Sequence, residues 1–185
     1  KNITFQTGDI EALPYKDSSF DGVFSAFVLE HLDNPEKVIS EMIRVLKQDG
    51  HLMLICPNFG SPLFRSPCCT KPLATRLAQG IIRTIVFLFK RGETLQWDHM
   101  VPRSIDPTIE FQSDYDTTVE PYIYTLISFL RKRGFVVETW SPLWQVFEVK
   151  NWKDNLLIPS KLLAQLGIYP FTYWGPQLLV IARKR

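Results

Sequence analysis

The chain has 185 residues, of which 45% are hydrophobic and 22% are charged. This composition is close to the soluble globular average, so it excludes disordered, collagen-like and disulfide-rich chains. The 21 Lys and Arg residues against 19 Asp and Glu residues give a net charge of +2. So weak a positive charge argues against nucleic acid as the partner. The length suits one domain, and we predict a single unit over residues 1–185.

The three cysteines predict a reducing, cytoplasmic location. Cys68 and Cys69 are adjacent and the third stands alone at Cys56, so they cannot pair completely. No Cys or His pair has the spacing of a zinc site, and we therefore expect no metal. The most apolar stretch, residues 81–89, is interrupted by Arg83 and is shorter than the roughly 20 residues that cross a bilayer.

The first part of the chain is predicted as strand, strand, helix, strand. Residues 3–7 have β-like composition, and residues 20–28 form a nearly continuous apolar run, which is typical of a parallel strand buried on both faces. Asn34 and Pro35 predict a helix start, and Asp49-Gly50 predicts the end of that helix. Residues 52–56 then form the next buried strand, so 20–56 is one right-handed crossover unit.

Residues 73–90 predict a helix with two unlike sides. One side is apolar, and the other carries the polar stripe Arg76, Gln79, Arg83 and Lys90. Such a helix suits a substrate lid or a membrane surface. It equally suits a helix packed on the core with its basic stripe in solvent, and the sequence leaves these alternatives open.

The last part of the chain is predicted as helix, strand, insert, strand. Residues 121–133 form the helix, since basic residues stand at its end and Gly134 follows it. Residues 135–140 form a strand, and residues 141–176 contain a short helix that Ser160 caps. Residues 177–183 close the chain as an apolar strand.

Five short motifs follow one another in residues 7–58. The motifs run Thr7-Gly8-Asp9-Ile10-Glu11-Ala12-Leu13-Pro14-Tyr15, Ser19-Phe20-Asp21-Gly22-Val23, Leu29-Glu30-His31-Leu32, Arg44-Val45-Leu46-Lys47-Gln48-Asp49-Gly50 and Pro57-Asn58. Their order resembles class I S-adenosylmethionine-dependent methyltransferases, particularly the branch that acts on small molecules and on quinone-like or lipid substrates. Residues 61–120 match no motif of that family, and 121–140 and 175–185 match only in pattern.

This resemblance implies an α/β fold, a Rossmann-like sheet with helices on both faces. The family's strand order is 3-2-1-4-5-7-6, and its glycine-rich turn after the first strand is absent here, as is the acidic end of the second strand. We therefore expect a domain truncated before the glycine-rich motif and lacking the first two strands. Strands four, five, seven and six are expected to pair, which leaves the edge next to residues 20–28 open.

The resemblance also implies a cofactor, S-adenosyl-L-methionine, and the residues that bind it. Asp9 is expected to accept a hydrogen bond from the adenine amino group, and the Ile10 N–H to meet the neighbouring ring nitrogen. Ser25, Ala26 and Phe27 are expected to contact the cofactor through their backbone at the end of the fourth strand. The alternatives are a turn-capping role for Asp9 and a plain core strand for the other three.

Candidates for catalysis and acceptor binding follow from residue type. His31 is a possible base beside Glu30, although the motif position favours a local hydrogen-bonding role, and methyl transfer depends mainly on positioning. In the insert, Trp97 and His99 are candidate substrate-binding residues, and Asp98 and His99 a candidate acid–base pair.

Two functional hypotheses result. In the first, the parent protein methylates a small, hydrophobic or aromatic acceptor, and the inserts 61–120 and 141–176 form the acceptor pocket as a substrate cap. In the second, the chain is a non-catalytic remnant that serves as an interaction module or contacts a membrane surface through residues 73–90. The acceptor atom and the oligomeric state are not indicated by the sequence.

Overall fold

The computed structural model describes residues 3–89, 97–104, 108 and 114–185. Lys90 of the predicted polar stripe, and parts of the predicted segment 61–120, lie outside these residues. The elements in chain order are β1 (Phe20–Ala26), α1 (Pro35–Val45), β2 (Leu46–Pro57), α2 (Leu73–Phe89), β3 (Asp98–His99), β4 (Val119–Glu120), α3 (Ile123–Lys132), β5 (Val136–Ser141), α4 (Ile158–Gln165) and β6 (Gln177–Arg183).

The main sheet has four strands in the order β1-β2-β6-β5. β1 and β2 are parallel, while β6 runs antiparallel to both β2 and β5. The sequence predicted this order for the family's fourth, fifth, seventh and sixth strands, and the prediction is confirmed. Because β1 and β2 are parallel, their carboxyl ends meet at one edge of the sheet.

The core lies around the two central strands. Leu52 and Leu54 of β2 and Val180 of β6 are fully buried, and α1 and α3 pack on the sheet. Asn34 caps α1 through Oδ1, which accepts from the Lys37 N–H at 3.1 Å, as the sequence predicted. α3 is followed by Gly134 in the left-handed region with φ +83°.

Three predictions in the first part of the chain were wrong. Residues 3–7 form no strand and are exposed, since they pair with no described strand. β1 is not buried on both faces, because Phe24 stays 67% exposed; its outer edge is open among the described strands, as expected. β2 begins at Leu46 rather than at residue 52, and Asp49 lies within it, where its N–H donates to the Lys184 carbonyl.

α2 spans the predicted residues, but its polar stripe faces inward. The side chain of Arg83 is only 17% exposed, whereas Ile82 and Ile85 on the apolar side are 59% and 51% exposed. Gly80 marks the inner side, because a Cβ there would lie 2.7 Å from Pro62. The predicted solvated basic stripe is therefore wrong.

In the closing segment the predicted Ser160 cap is also wrong. Ser160 lies inside α4, whose N-cap is Leu157, and Pro159 stands in the first turn. The helix and the closing strand themselves lie where the sequence predicted them.

Candidate functional site

An apolar groove of about 540 Å³ runs along the outer edge of β1. Ile10, from the segment before β1, faces Ser25 and Ala26, the last residues of the strand. These are three of the five predicted cofactor-binding residues, and they come together although 15 residues separate them in sequence. The remaining lining is apolar: Leu13, Tyr15, Phe20, Gly22, Val23, Phe24, Val28, Met42 and Val45.

Arg44 of α1 holds the segment that carries Ile10 against the body of the protein. Its Nη1 donates to the Tyr15 carbonyl at 2.8 Å and its Nη2 to the Leu13 carbonyl at 3.0 Å. The same guanidinium pairs with Glu41 at 2.8 Å and with Asp17 at 2.7 Å. Arg44 thereby fixes one wall of the groove. Arg44 belongs to one of the family motifs, but the sequence did not indicate this role.

Asp9 and Phe27 flank the groove without being among its lining residues. Oδ1 of Asp9 accepts from the Glu11 N–H at 2.8 Å, which is the turn-capping arrangement that the sequence left open as an alternative. Phe27 has φ +55° and is 49% exposed. This left-handed residue turns the chain out of the sheet directly after Ala26, and such conformations are uncommon outside glycine and concentrate at functional sites.

A second groove, of about 470 Å³, lies at the N-terminus of α1. Both predicted substrate-binding residues line it, although they come from the insert. The indole Nε1 of Trp97 donates to Oε1 of Glu36 at 3.2 Å, which fixes the ring at the groove wall. The lining consists of Asp33, Asn34, Pro35, Glu36, Trp97 and His99.

The predicted pair of Asp98 and His99 is separated, since neighbouring residues of a strand point to opposite sides. His99 lines the second groove, whereas Asp98 accepts from Arg83 at 2.5 Å and from Lys71 at 3.2 Å. Burial alone would raise the pKa of Asp98, but these two cations outweigh it and hold the pKa below its ordinary value. Asp98 therefore anchors α2 and is not placed as a proton acceptor.

The predicted base, His31, lies between acids in the short 3-10 turn that follows β1. Its Nε2 is 3.8 Å from Oε1 of Glu30, and its Nδ1 is 3.0 Å from Oδ1 of Asp116, although the ring is turned away from hydrogen-bond geometry. Burial raises the pKa of Glu30 to about 7. The sequence did not predict that Asp116 belongs to this cluster, because Asp116 lies in the insert, 85 residues after His31.

Three tryptophans in and beside the closing segment pack in the core, whereas Trp152 is 71% exposed. Trp140 stacks on Tyr173 with ring centroids 4.3 Å apart, and Nε1 of Trp174 donates to the Tyr122 hydroxyl at 3.1 Å. Trp144 is buried and donates to the Phe171 carbonyl. Their aromatic content therefore builds packing between α2, α3 and β6, while Trp97 is the tryptophan that lines a groove described above.

Part of the chain is similar to known proteins. Residues 1–54 match the family described as a methyltransferase domain. A demethylmenaquinone methyltransferase of Renibacterium salmoninarum is 41% identical over 63 residues, which are 34% of this chain and 26% of that protein. An uncharacterized methyltransferase of Bacillus subtilis is 40% identical over 55 residues, 30% of this chain and 22% of that protein. The chain thus spans about a quarter of the length of these curated relatives.

A solved structure extends the likeness to the whole chain. The S-adenosylmethionine-dependent methyltransferase of Mesorhizobium loti aligns with 100% of this chain and 71% of its own, at a TM-score of 0.51 and 16% identity. At this identity the alignment shows the fold alone. Residues 1–54 are thus similar to a methyltransferase domain, and the chain has a Rossmann-like fold like that of class I methyltransferases, as the sequence predicted.

Proposed function

We propose that the protein containing this chain transfers a methyl group from S-adenosyl-L-methionine to a small, hydrophobic or aromatic acceptor. The observation that carries the proposal is the apolar groove in which Ile10 meets Ser25 and Ala26. In open α/β sheets ligands bind outside the carboxyl ends of the strands, where this groove ends. The family match over residues 1–54 supports a methyl donor as the occupant.

In this proposal the carboxyl end of the groove, at Ile10, Ser25 and Ala26, receives the adenine side of the cofactor, because the family's first strand would pair along the rest of the outer edge of β1. Its apolar walls suit a flat ring, and the backbone of Ile10 supplies the N–H for a ring nitrogen. Oδ1 of Asp9 is engaged by the Glu11 N–H, so its other oxygen is the proposed acceptor for the adenine amino group. Phe27 contributes through the bend that leaves Ser25 and Ala26 at the end of the strand.

The acceptor is proposed to bind in the second groove, where Trp97 offers a fixed ring face beside His99. α1 follows β1 in the chain, so its N-terminus lies on the carboxyl side of the strands, on the same side as the end of the first groove. A relative named for demethylmenaquinone supports a ring-bearing acceptor of that kind. Transfer is a single in-line displacement at carbon, so the sites act mainly by positioning.

His31 remains a candidate base in this proposal, but its surroundings favour a structural role. Its ring nitrogens lie 3.8 Å from a Glu30 oxygen and 3.0 Å from an Asp116 oxygen, and His31 lines neither of the two grooves. A His31→Gln variant that keeps kcat within a few-fold, at every pH measured, would remove His31 from the chemistry.

Calorimetry with S-adenosylhomocysteine on the full-length protein tests the cofactor site. Ala26→Leu fills the groove, and we expect at least tenfold weaker binding, which is about 1.4 kcal/mol. The matched control is Ala78→Leu on the exposed side of α2, which should bind as the native protein does. No binding by the native full-length protein rejects the methyltransferase and favours the non-catalytic alternative.

We further propose that α2 contacts a membrane surface through its outward apolar side. Five large side chains there are between 44% and 81% exposed: Ile81, Ile82, Ile85, Leu88 and Phe89. Such a continuous apolar face is typical of an interaction site. Arg76 and Arg83 are turned inward, so no charged side chain of the helix interrupts the face. No helix in the described part of the chain is long and apolar enough to cross a bilayer.

Liposome flotation of the full-length protein tests the membrane contact. The double change Ile82→Asp and Ile85→Asp places charge on the apolar face, and we expect flotation to be lost. Val101→Asp changes a still more exposed apolar residue away from α2 and serves as the control. Flotation that survives the double change would reject the contact, whatever the result for cofactor binding.

A further inference from the structure

Four ionisable side chains meet beyond the carboxyl end of β1. Glu30 and His31 come from the 3-10 turn after the strand, and Asp114 and Asp116 from the turn that leads into β4. The Thr118 N–H donates to the Glu30 carbonyl at 2.9 Å, which ties the two turns together. One ligand atom each from Glu30, His31 and Asp114 lies within 4.8 Å of the others.

The carboxylate of Glu30 is the unusual member of this cluster. The side chain is 1% exposed, and Oε2 is buried with no hydrogen-bond partner among the described residues. Buried carboxylates are ordinarily paired or bound to a metal, because transfer of an unpaired charge out of water is very unfavourable. Asp114 and Asp116 add negative charge to the surroundings of Glu30, and the imidazole of His31 lies beside it.

We propose that Glu30, His31 and Asp114 bind a divalent transition-metal ion. An ion between them would neutralise the buried carboxylate and occupy Oε2, which the described residues leave unpaired. The donor set is two carboxylates and one imidazole, so it favours Zn²⁺ or Mn²⁺ over Mg²⁺ and Ca²⁺, which prefer oxygen ligands alone. The imidazole is 32% exposed, which leaves a route for the ion to enter.

Asp116 has a distinct place in this site. In metal centres a ligating imidazole commonly gives its second nitrogen to a carboxylate, which orients the ring and raises its basicity. Nδ1 of His31 lies 3.0 Å from Oδ1 of Asp116, while Nε2 is on the side of Glu30. A small rotation of the ring completes the arrangement, with Nε2 on the ion and Asp116 behind the ligand.

The expectation of no metal site was based on Cys and His spacing in the sequence. Such spacing finds sites whose ligands are local, whereas Asp114 is 84 positions from Glu30. The proposed site does not depend on the proposed methyl transfer, since its test measures binding of the ion itself.

The experiment is a Mn²⁺ titration of the chelator-treated full-length protein, followed through the electron paramagnetic resonance signal of the free ion. We expect one Mn²⁺ per chain, displaced by Zn²⁺ and not by equimolar Mg²⁺. Glu30→Gln keeps the shape of the side chain and removes the charge, and Asp114→Asn does the same for the second ligand. Each should weaken binding at least tenfold, while the exposed control Glu148→Gln should leave it unchanged.

Two results would overturn the proposal. One is the absence of a bound ion in the native protein, and the other is the same affinity in Glu30→Gln and Asp114→Asn as in the native protein. Circular dichroism establishes that each variant is folded, and Asp114→Asn decides the matter if Glu30→Gln is not. A specific site must also raise the melting temperature of the native protein when Zn²⁺ is added, and must fail to do so in Asp114→Asn.

Discussion

Arg83→Met should destabilise the full-length protein by about 2 kcal/mol. Removing one partner of a fully buried ion pair costs about 3–5 kcal/mol, because the other charge stays buried and unpaired. Arg83 and Asp98 keep 17% and 22% of their side-chain exposure, and Asp98 retains Lys71 at 3.2 Å. Both facts lower the expected effect. Methionine preserves the apolar stem, so the change isolates the guanidinium and its position 5.4 Å from the Tyr122 ring centroid.

The measurement is urea unfolding at neutral pH, with thermal unfolding as a second reading. For a chain of this size about 2 kcal/mol corresponds to a fall of roughly 4–8 °C in Tm. A double-mutant cycle with Asp98→Asn isolates the pair, and we expect a coupling of about 1–2 kcal/mol. Arg65→Met removes an exposed arginine and should change stability by no more than about 0.5 kcal/mol.

The pH dependence follows from the lowered pKa of Asp98. A carboxyl whose pKa is lower in the folded state stabilises the fold above its ordinary pKa, and this contribution is lost as the pH falls through the folded value. The difference in the free energy of unfolding between the native protein and Arg83→Met should therefore become smaller below about pH 4. If Arg83→Met lowers the free energy of unfolding by less than about 0.5 kcal/mol and the cycle with Asp98→Asn gives zero coupling, the inward orientation of Arg83 is refuted. The outward apolar face of α2 would then be refuted as well.

Three further predictions concern other elements. Arg44→Lys should raise hydrogen–deuterium exchange in the segment before β1 while β2 stays protected, since lysine cannot reproduce the several donors that hold the segment; unchanged exchange would contradict this. Asn58→Ala should cost about 2–4 kcal/mol in urea unfolding, because Asn58 is fully buried and bonds two carbonyls and one N–H; Asn151→Ala at an exposed site is the control. The buried thiols Cys56, Cys68 and Cys69 should resist Ellman's reagent at pH 8 until urea is added, most of all Cys56, whose pKa burial raises well above its usual value; rapid native labelling of Cys56 would contradict its position in β2.

The unit from β1 to β2 was predictable because its signals are local. Apolar runs, a capping asparagine and a proline in the first turn each act within a few residues, and they agree with one another. The same holds for α3 and Gly134. The strand at residues 3–7 is absent because β propensity takes effect only where a neighbouring strand supplies hydrogen bonds. The family's strand order already indicated this, since the two strands that would lie between residues 3–7 and β1 are missing. β2 begins early because Lys184, just after β6, forms backbone hydrogen bonds with Asp49 and Gly50, although Asp49 keeps a left-handed turn conformation with φ +60°.

The orientation of α2 shows the limit of periodicity more clearly. The spacing of Arg76, Gln79 and Arg83 fixes which side chains share a face, but it does not fix which face is buried. Asp98 decides that question, because a carboxylate on β3 gives Arg83 a partner inside the protein. The residue pattern of one helix cannot show an interaction partner that lies on another element.

The candidate sites gather at one edge because β1 and β2 are parallel. Ser25 and Ala26 end β1, Glu30 follows it by four residues, and Asn58 follows β2, so every one of these residues lies beyond the carboxyl end of a strand. The insert then adds Trp97 to the second groove and Asp114 to Glu30. The family motifs thus line the apolar groove, and the segment that matches no motif adds side chains to the second groove and to the cluster at Glu30. The proposed acceptor and the proposed ion must therefore be sought where Trp97, His99 and Asp114 meet residues of the matched segment 1–54.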